Sequence, residues 1–155
     1  MAEYKPRGMY FEEFQVGLEV VTQGRTITEA DLVNFAGVSG DYNSIHTDEE
    51  FSRNTPMGGR IAHGLLSFSV ATGLLVQTGF AEGTNIAFTS INEWKFKNPV
   101  KIGDTIHATA QVKQTRAVRA VDGGFVILTM QVVNQRAEVV QQGELTMLFK
   151  SKPTG

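Results

Sequence analysis

Residues 62–78 read Ala62-His63-Gly64-Leu65-Leu66-Ser67-Phe68-Ser69-Val70-Ala71-Thr72-Gly73-Leu74-Leu75-Val76-Gln77-Thr78. Leu65, Leu66, Phe68, Val70, Ala71, Leu74, Leu75 and Val76 cover most of a helical circumference rather than one stripe. A helix that is apolar nearly all round is a buried helix. Its polar members Ser67, Ser69, Thr72 and Gly73 are small, so strands can approach closely. The same polar positions make the stretch too short and too polar to span a bilayer. The expectation is one helix held inside a wrap of sheet.

Downstream, the chain reads as strands. Residues 85–97 alternate in part, and 105–118 alternate well, with Ile106, Ala108, Ala110 and Val112 set against Thr105, His107, Thr109 and Gln111. Two more strands are expected over 125–135 and 139–150. They follow a turn at Asp122-Gly123-Gly124 and are joined by a polar turn at Arg136-Ala137-Glu138.

Upstream, a weaker strand covers 19–26. A helix is expected over 29–38, with Thr28 as N-cap and Asp31 in a capping-box position. Ser39 to His46 reads as a compact polar loop. Thr47-Asp48-Glu49-Glu50 reads as a second capping box that opens a short helix. Long strands after one buried helix predict an α+β fold, an antiparallel sheet curled round a central helix. A chain of 155 residues without repeats or linkers predicts one domain, residues 1–155.

Composition excludes several function classes. Apolar residues are 41% and charged residues 19%, enough for a core and against disorder. The 14 basic and 16 acidic residues leave a net charge of −2, so no nucleic-acid footprint is visible. With no cysteine, thiol nucleophiles, thiolate zinc sites and disulfides are excluded. The opening MAEYKPRGMYFEEF has no apolar core of a signal peptide, so a soluble, cytoplasmic protein that does not enter membranes is expected.

Three histidines are available for chemistry. His107 falls on the polar phase of its strand and reads as solvent-facing. His46 follows Asp41 by five residues, in a loop rich in Gly, Asn and Ser. A carboxylate and an imidazole close together can hold and deprotonate a water, and the histidine titrates near neutral pH. Asp41 and Asn43 also have a plain reading as turn residues. His63 and Gly64 open the buried helix, where free N–H groups and the helix dipole favour developing negative charge. Their plain reading is a tight entry turn and a structural histidine. Asp41, His46 and His63 together offer two imidazoles and a carboxylate. Their spacing matches no compact helical or hairpin ligand pair, so no metal is assigned.

Taken together these residues are more specific than singly. The run Phe35-Ala36-Gly37-Val38-Ser39-Gly40-Asp41-Tyr42-Asn43-Ser44-Ile45-His46 resembles the signature of MaoC-like (R)-specific enoyl-CoA hydratases. Phe51 in a short helix, Arg60-Ile61-Ala62-His63-Gly64-Leu65, and Trp94 to Thr105 with Pro99-Val100 and Gly103-Asp104 extend the similarity in order. It runs from about Phe14 to Phe149.

The resemblance implies a hot-dog fold and pairing into a homodimer or a dimer of dimers. It implies no cofactor, and hydration of a trans-2-enoyl thioester, on CoA or acyl carrier protein, to a (3R)-hydroxyacyl product. By position Asp41 and His46 are the catalytic pair. Gly64 N–H steadies the thioester oxygen, and His63 and Thr72 join it at the substrate. Asn43 fixes the loop or the water. Two positions depart from the pattern: Ser44 stands where proline is usual, and Thr72 where serine is frequent.

Two alternatives share the fold. A thioesterase would direct water at the thioester carbon through Asp41 or Glu50, but its usual H-x-x-x-x-D and buried-Glu patterns are absent. A non-catalytic acyl-thioester-binding subunit needs no acid–base pair. Phe68, Leu74, Leu75 and Phe80 read as core before they read as tunnel. Arg53, Arg60, Lys95, Lys97 and Lys101 are candidates for carrier phosphates, with a scattered cationic surface as the plain reading.

Overall fold

A computed structural model describes residues 4–153. Its order is β1 (Glu19–Val21), β2 (Arg25–Thr26), α1 (Glu29–Ser39), α2 (Ser44–Thr47), α3 (Glu49–Arg53), α4 (Gly64–Gln77), β3 (Asn85–Phe96), β4 (Thr105–Val118), β5 (Gly123–Asn134) and β6 (Val139–Lys150). The strands form one antiparallel sheet, β1-β4-β5-β6-β3, with β2 also paired to β4. This is the α+β arrangement expected from the sequence, and β4 and β6 have the expected boundaries.

The alternation of β4 and β5 sorts their side chains by face. Ile106, Ala108, Ala110 and Val112 on β4 and Val126, Leu128, Met130 and Val132 on β5 turn inward. Together with Leu145, Met147 and Phe149 of β6 they pack on Leu66, Phe68, Ala71 and Leu75 of α4. The four residues expected to be core, Phe68, Leu74, Leu75 and Phe80, are all buried. The helix is not enclosed on every side, however. Leu65, Ser69, Gly73 and Val76 form an open flank, so of the small residues expected under the strands, Ser67 is buried and Ser69 and Gly73 are not. No helix among the described residues is long and apolar enough to cross a membrane.

Local differences have local causes. The strand expected over 19–26 is two short pieces, both paired to β4. The Thr28/Asp31 capping box forms, and α1 runs to Ser39 with left-handed Gly40 as its C-cap. The second capping box does not form on Thr47. Asn43 and Asp48 each accept a backbone N–H of their own helix, so two one-turn helices replace a loop and one helix. Asx side chains cap well, and here they outcompete the threonine. The turn at 122–124 starts earlier: residues 119–121 make a 3₁₀ turn closed by left-handed Asp122, and Gly123-Gly124 already belong to β5.

The turn between β3 and β4 ties the sheet to the start of α4. Ala62 N–H donates to Val100 O at 2.8 Å, and Ile61 bridges Lys101. Asp104 holds this turn: its carboxylate accepts from Lys101 N–H at 2.9 Å, Gln135 Nε2 at 2.6 Å and Arg136 Nη1 at 2.9 Å. Burial alone pushes this carboxyl up, but the hydrogen bonds from Arg136, Gln135 and Lys101 N–H and the charge of Arg136 together hold it below its ordinary value. A depressed folded-state pKa adds stability that is present above the unfolded value and lost as pH falls through the folded one. Replacing Asp104 with Asn is therefore expected to cost roughly 1.5–3 kcal/mol at neutral pH, the range for hydrogen bonds to a charged group. Urea unfolding at several pH values checks this: the wild-type advantage shrinks as pH falls below the ordinary aspartate range, and a pH-independent difference would contradict it.

Candidate active site

The loop between α1 and α2 is held by its own side chains. Asn43 N–H donates to Asp41 Oδ1 at 3.2 Å, and Ile45 N–H donates to Asn43 Oδ1 at 3.3 Å. Thr47 Oγ1 donates to the carbonyls of Tyr42 and Asn43. The plain turn role of Asp41 and Asn43 is thus real. It returns the chain so that His46 Nε2 faces Asp41 Oδ2 at 4.0 Å. The carboxylate side chain is 52% exposed and the imidazole 12%, so one partner meets solvent and the other sits in the wall.

Backbone carbonyls assign both ring tautomers. His46 Nδ1 lies 2.8 Å from Ile61 O. A carbonyl only accepts, so Nδ1 carries the proton and Nε2 of the neutral ring is a bare acceptor. His63 Nε2 lies 2.9 Å from Asp41 O, so there Nε2 carries the proton. The two rings stack at 3.8 Å with planes inclined 27°, and Phe35 backs His63 at 5.1 Å.

His63 is 3% exposed. In this structure it buttresses Asp41 through the backbone and His46 through its face. Its Nδ1 is buried without a partner among the described residues. The ligand atoms of Asp41, His46 and His63 all lie within 4.8 Å of one another. Stacked rings send their lone pairs out in nearly parallel planes, which do not converge on one ion at about 2.0–2.1 Å.

Gly64 opens α4 with no side chain capping the helix, so the first N–H groups have no partner within it. A Cβ at Gly64 would lie 2.7 Å from Cδ1 and Cε1 of Phe96, so only glycine allows that ring to close over the helix start. Gly64, His46, Ile61, Leu65, Phe96 and Lys97 share a cavity of about 420 Å³. Asp41 stands beside His46 rather than in that lining. A larger, shallower groove of about 820 Å³ near Arg7 and Gln77 holds no histidine.

The remaining candidates separate. Thr72 lies eight residues along α4, about 12 Å by helical rise. Its hydroxyl donates to Ser69 O, and it lines a different groove of about 590 Å³ with Phe88 and Met147. Within this protomer it does not join the Asp41–His46 pair. Glu50 points into solvent and pairs with Arg53. Arg60 is taken up by Glu29 and Glu49. Lys97 and Lys101 make no ion pair among the described residues. His107 is on the outward phase of β4, as read from the sequence.

Two contributors had little signal in the sequence. The carbonyl of Ile61 is backbone and invisible to residue type. Phe96 belongs to a strand whose apolar alternation gives no hint that its ring leaves the sheet for a helix end. The tautomer assignment is checked by long-range ¹H–¹⁵N correlation on imidazole-labelled protein at neutral pH or above. His46 is expected as the Nδ1–H form and His63 as the Nε2–H form; His46 as the Nε2–H form would remove the bare acceptor facing Asp41.

The chain is similar to known proteins in sequence and in fold. The model of the MaoC like domain family matches residues 13–134. The chain is 40% identical over 119 residues to protein MaoC of Klebsiella aerogenes, which covers 76% of this chain and 35% of that protein. It is 38% identical over 103 residues to the (R)-specific enoyl-CoA hydratase of Rhodospirillum rubrum, covering 66% of this chain and 69% of that enzyme. The chain thus spans about a third of the first of these relatives and just over two thirds of the second.

Among solved structures, the monoamine oxidase regulatory protein of Archaeoglobus fulgidus superposes with a TM-score of 0.88 at 36% identity, covering 94% of this chain and 97% of that one. A double-hotdog protein of Mycobacterium tuberculosis, 19% identical, superposes with a TM-score of 0.83 over 96% of this chain and 46% of that one, which bears on the fold alone. The sheet wrapped on α4 is a hot-dog fold, and the chain belongs to the MaoC-like domain family.

Proposed function

We propose that this protein is a hydro-lyase that reversibly hydrates trans-2-enoyl thioesters to (3R)-hydroxyacyl thioesters. The observation that carries this reading is the gap between His46 Nε2 and Asp41 Oδ2, 4.0 Å, beside the uncapped start of α4. It is too long for a direct hydrogen bond. Both atoms are acceptors, so the molecule that suits the gap is one with two protons to give and a nucleophilic oxygen. Water bridging two acceptors at about 2.8 Å each spans close to this distance.

The chemistry follows from the tautomers. Water donates one proton to Nε2 and one to Oδ2. As its oxygen attacks C3 of the enoyl group, Nε2 takes the first proton and Asp41 steadies the resulting imidazolium. Charge moves to the thioester oxygen, where Gly64 N–H and the dipole of α4 meet it. The imidazolium then returns its proton to C2, so water has added across the double bond and both residues are reset. Asn43 keeps its part as the cap that sets the loop. Ser44, where proline is usual, sits as the first residue of α2, a position that serine fills without loss of the 41–46 spacing.

The relatives that carry hydratase names agree with this reading, as does a 3-hydroxybutyryl-CoA dehydratase of Methylorubrum extorquens, 35% identical over 108 residues. Lys97 at the cavity and Lys101 beside Gly58 are free to meet the phosphate of CoA or of a carrier-protein arm. The open flank of α4 runs from Gly64 by Leu65 and Ser69 to Thr72, which gives an acyl chain its path and Thr72 a place along it. The thioesterase reading is weaker here, because Glu50 faces solvent and Asp41 is oriented toward an imidazole. A purely binding role leaves the two assigned tautomers without a purpose.

Asp41→Asn and His46→Gln are each expected to lower turnover of crotonyl-CoA hydration by about 10²–10⁴-fold, the scale of general acid–base catalysis. Circular dichroism should remain that of the wild type. Turnover near wild type in either variant would sink the assignment.

We further propose that residues 1–155 act as one domain and pair into a homodimer through β3. Among the described residues that strand pairs only with β6, Ile86, Phe88 and Ile91 on it are exposed, and Phe88 shares a groove with the exposed Val76 of α4. An unpaired apolar edge of this kind is covered in stable proteins. Sedimentation at micromolar concentration is expected to give twice the chain mass, and Phe88→Glu to reduce it; a monomeric wild type would overturn the pairing.

A further inference from the structure

Gln141 is buried, 2% exposed, at the start of β6, on the inward phase that continues through Leu145, Met147 and Phe149. A primary amide in an apolar series is costly unless its groups are matched. Here both are matched. Trp94 Nε1–H donates to Gln141 Oε1 at 3.2 Å, and Gln141 Nε2 donates to Gly64 O at 2.9 Å. The indole can only donate and the carbonyl can only accept, so these two partners also settle which way the amide points.

Three further features serve this link. Glu93 takes a positive φ of 51°, and the β3–β6 register shifts between Asn92 and Lys95, which breaks the alternation of β3 at Trp94. Gly143, two residues on from Gln141, makes the space for the indole: a Cβ there would come 2.6 Å from Trp94 Cε3. On its other side the indole meets Phe68 of α4 edge-on at 4.6 Å. The sheet thus reaches the first residue of α4 by a hydrogen-bonded chain from Trp94 through Gln141 to Gly64, while Phe96 closes over the same glycine.

From this geometry we infer that Gln141, locked by Trp94, is a positioning residue for the thioester-binding start of α4. It does not touch substrate. It fixes the first peptide units of α4 against β6, and so fixes where Gly64 N–H points relative to His46. This rests on the proposed oxyanion role of Gly64. Loss of the amide would leave the helix start free to shift by a few tenths of an ångström, which reduces stabilisation of a charge that develops only in the transition state.

The test uses Gln141→Met, which keeps length and removes the donor, and Trp94→Phe, which keeps the amide and removes its lock. Steady-state hydration of crotonyl-CoA is read beside the infrared carbonyl stretch of bound butyryl-CoA, ¹³C-labelled at the thioester carbon. Wild-type protein should shift that stretch to lower frequency. Gln141→Met should lose much of the shift and about 10–100-fold in kcat, less than the loss of an oxyanion donor itself, with KM changed by no more than a few-fold. Trp94→Phe should move both in the same direction by less. Full shift and full kcat in both variants would overturn the positioning role. If Gln141→Met does not fold, Trp94→Phe decides alone, and an unchanged shift and kcat there overturn it. A wild-type complex with no shift would instead remove the oxyanion role of Gly64.

Discussion

The hydrogen bond from His46 Nδ1–H to the carbonyl of Ile61 is the constraint on which the site depends. It selects one tautomer and so leaves Nε2 as a lone pair facing Asp41. The carbonyl can do this because Ile61 is itself held, by its N–H to Ile45 O at 3.2 Å and by its bridge to Lys101. Asp104 holds that second anchor. A buried carboxylate in a turn remote from the Asp41–His46 pair is in this way connected to the direction of the His46 Nε2 lone pair. The second imidazole, His63, repeats the device on Asp41, through the backbone rather than the carboxylate.

The site also departs from rules that the rest of the chain obeys. Among the described residues, His63 Nδ1 and Ser67 Oγ are buried without partners at the start of α4, and no side chain caps that helix. Each unmatched buried group costs on the order of 1–3 kcal/mol. The sheet supplies the compensation, through the apolar faces of β4, β5 and β6 that close on α4. Local sacrifice beside a well-packed scaffold is the usual pattern where binding groups must be kept free.

Much of this was legible in the residues. The alternation of Ile106, Ala108, Ala110 and Val112 marks β4 without ambiguity, and Thr28 with Asp31 marks the start of α1. The apolar surface of α4 announced a central helix, but Leu65 and Val76 turned out to lie on a flank that the single chain leaves open. Apolarity all round does not tell which faces the chain itself covers. The five-residue step from Asp41 to His46 was readable as a candidate pair. The caps Asn43 and Asp48, which set its geometry, are hard to read because four capping residue types, Asn43, Ser44, Thr47 and Asp48, stand within six positions. The place of His63 beside Gly64 is visible in the sequence, whereas its stacking on His46 depends on a loop folding back across it. The link from Gln141 to Gly64 joins positions far apart in the chain and leaves only one trace: a polar residue in an inward phase.

In the proposed reaction the gap between Asp41 and His46 directs water at carbon 3 of an enoyl thioester, not at the thioester carbon. The most direct measurement follows the enoyl absorbance of crotonyl-CoA with the wild-type protein while free thiol is recorded in parallel and the product is resolved by chirality. Loss of absorbance without thiol, giving the (3R) alcohol, is the predicted result. Release of thiol in step with any loss of absorbance, or formation of the (3S) alcohol, would contradict it.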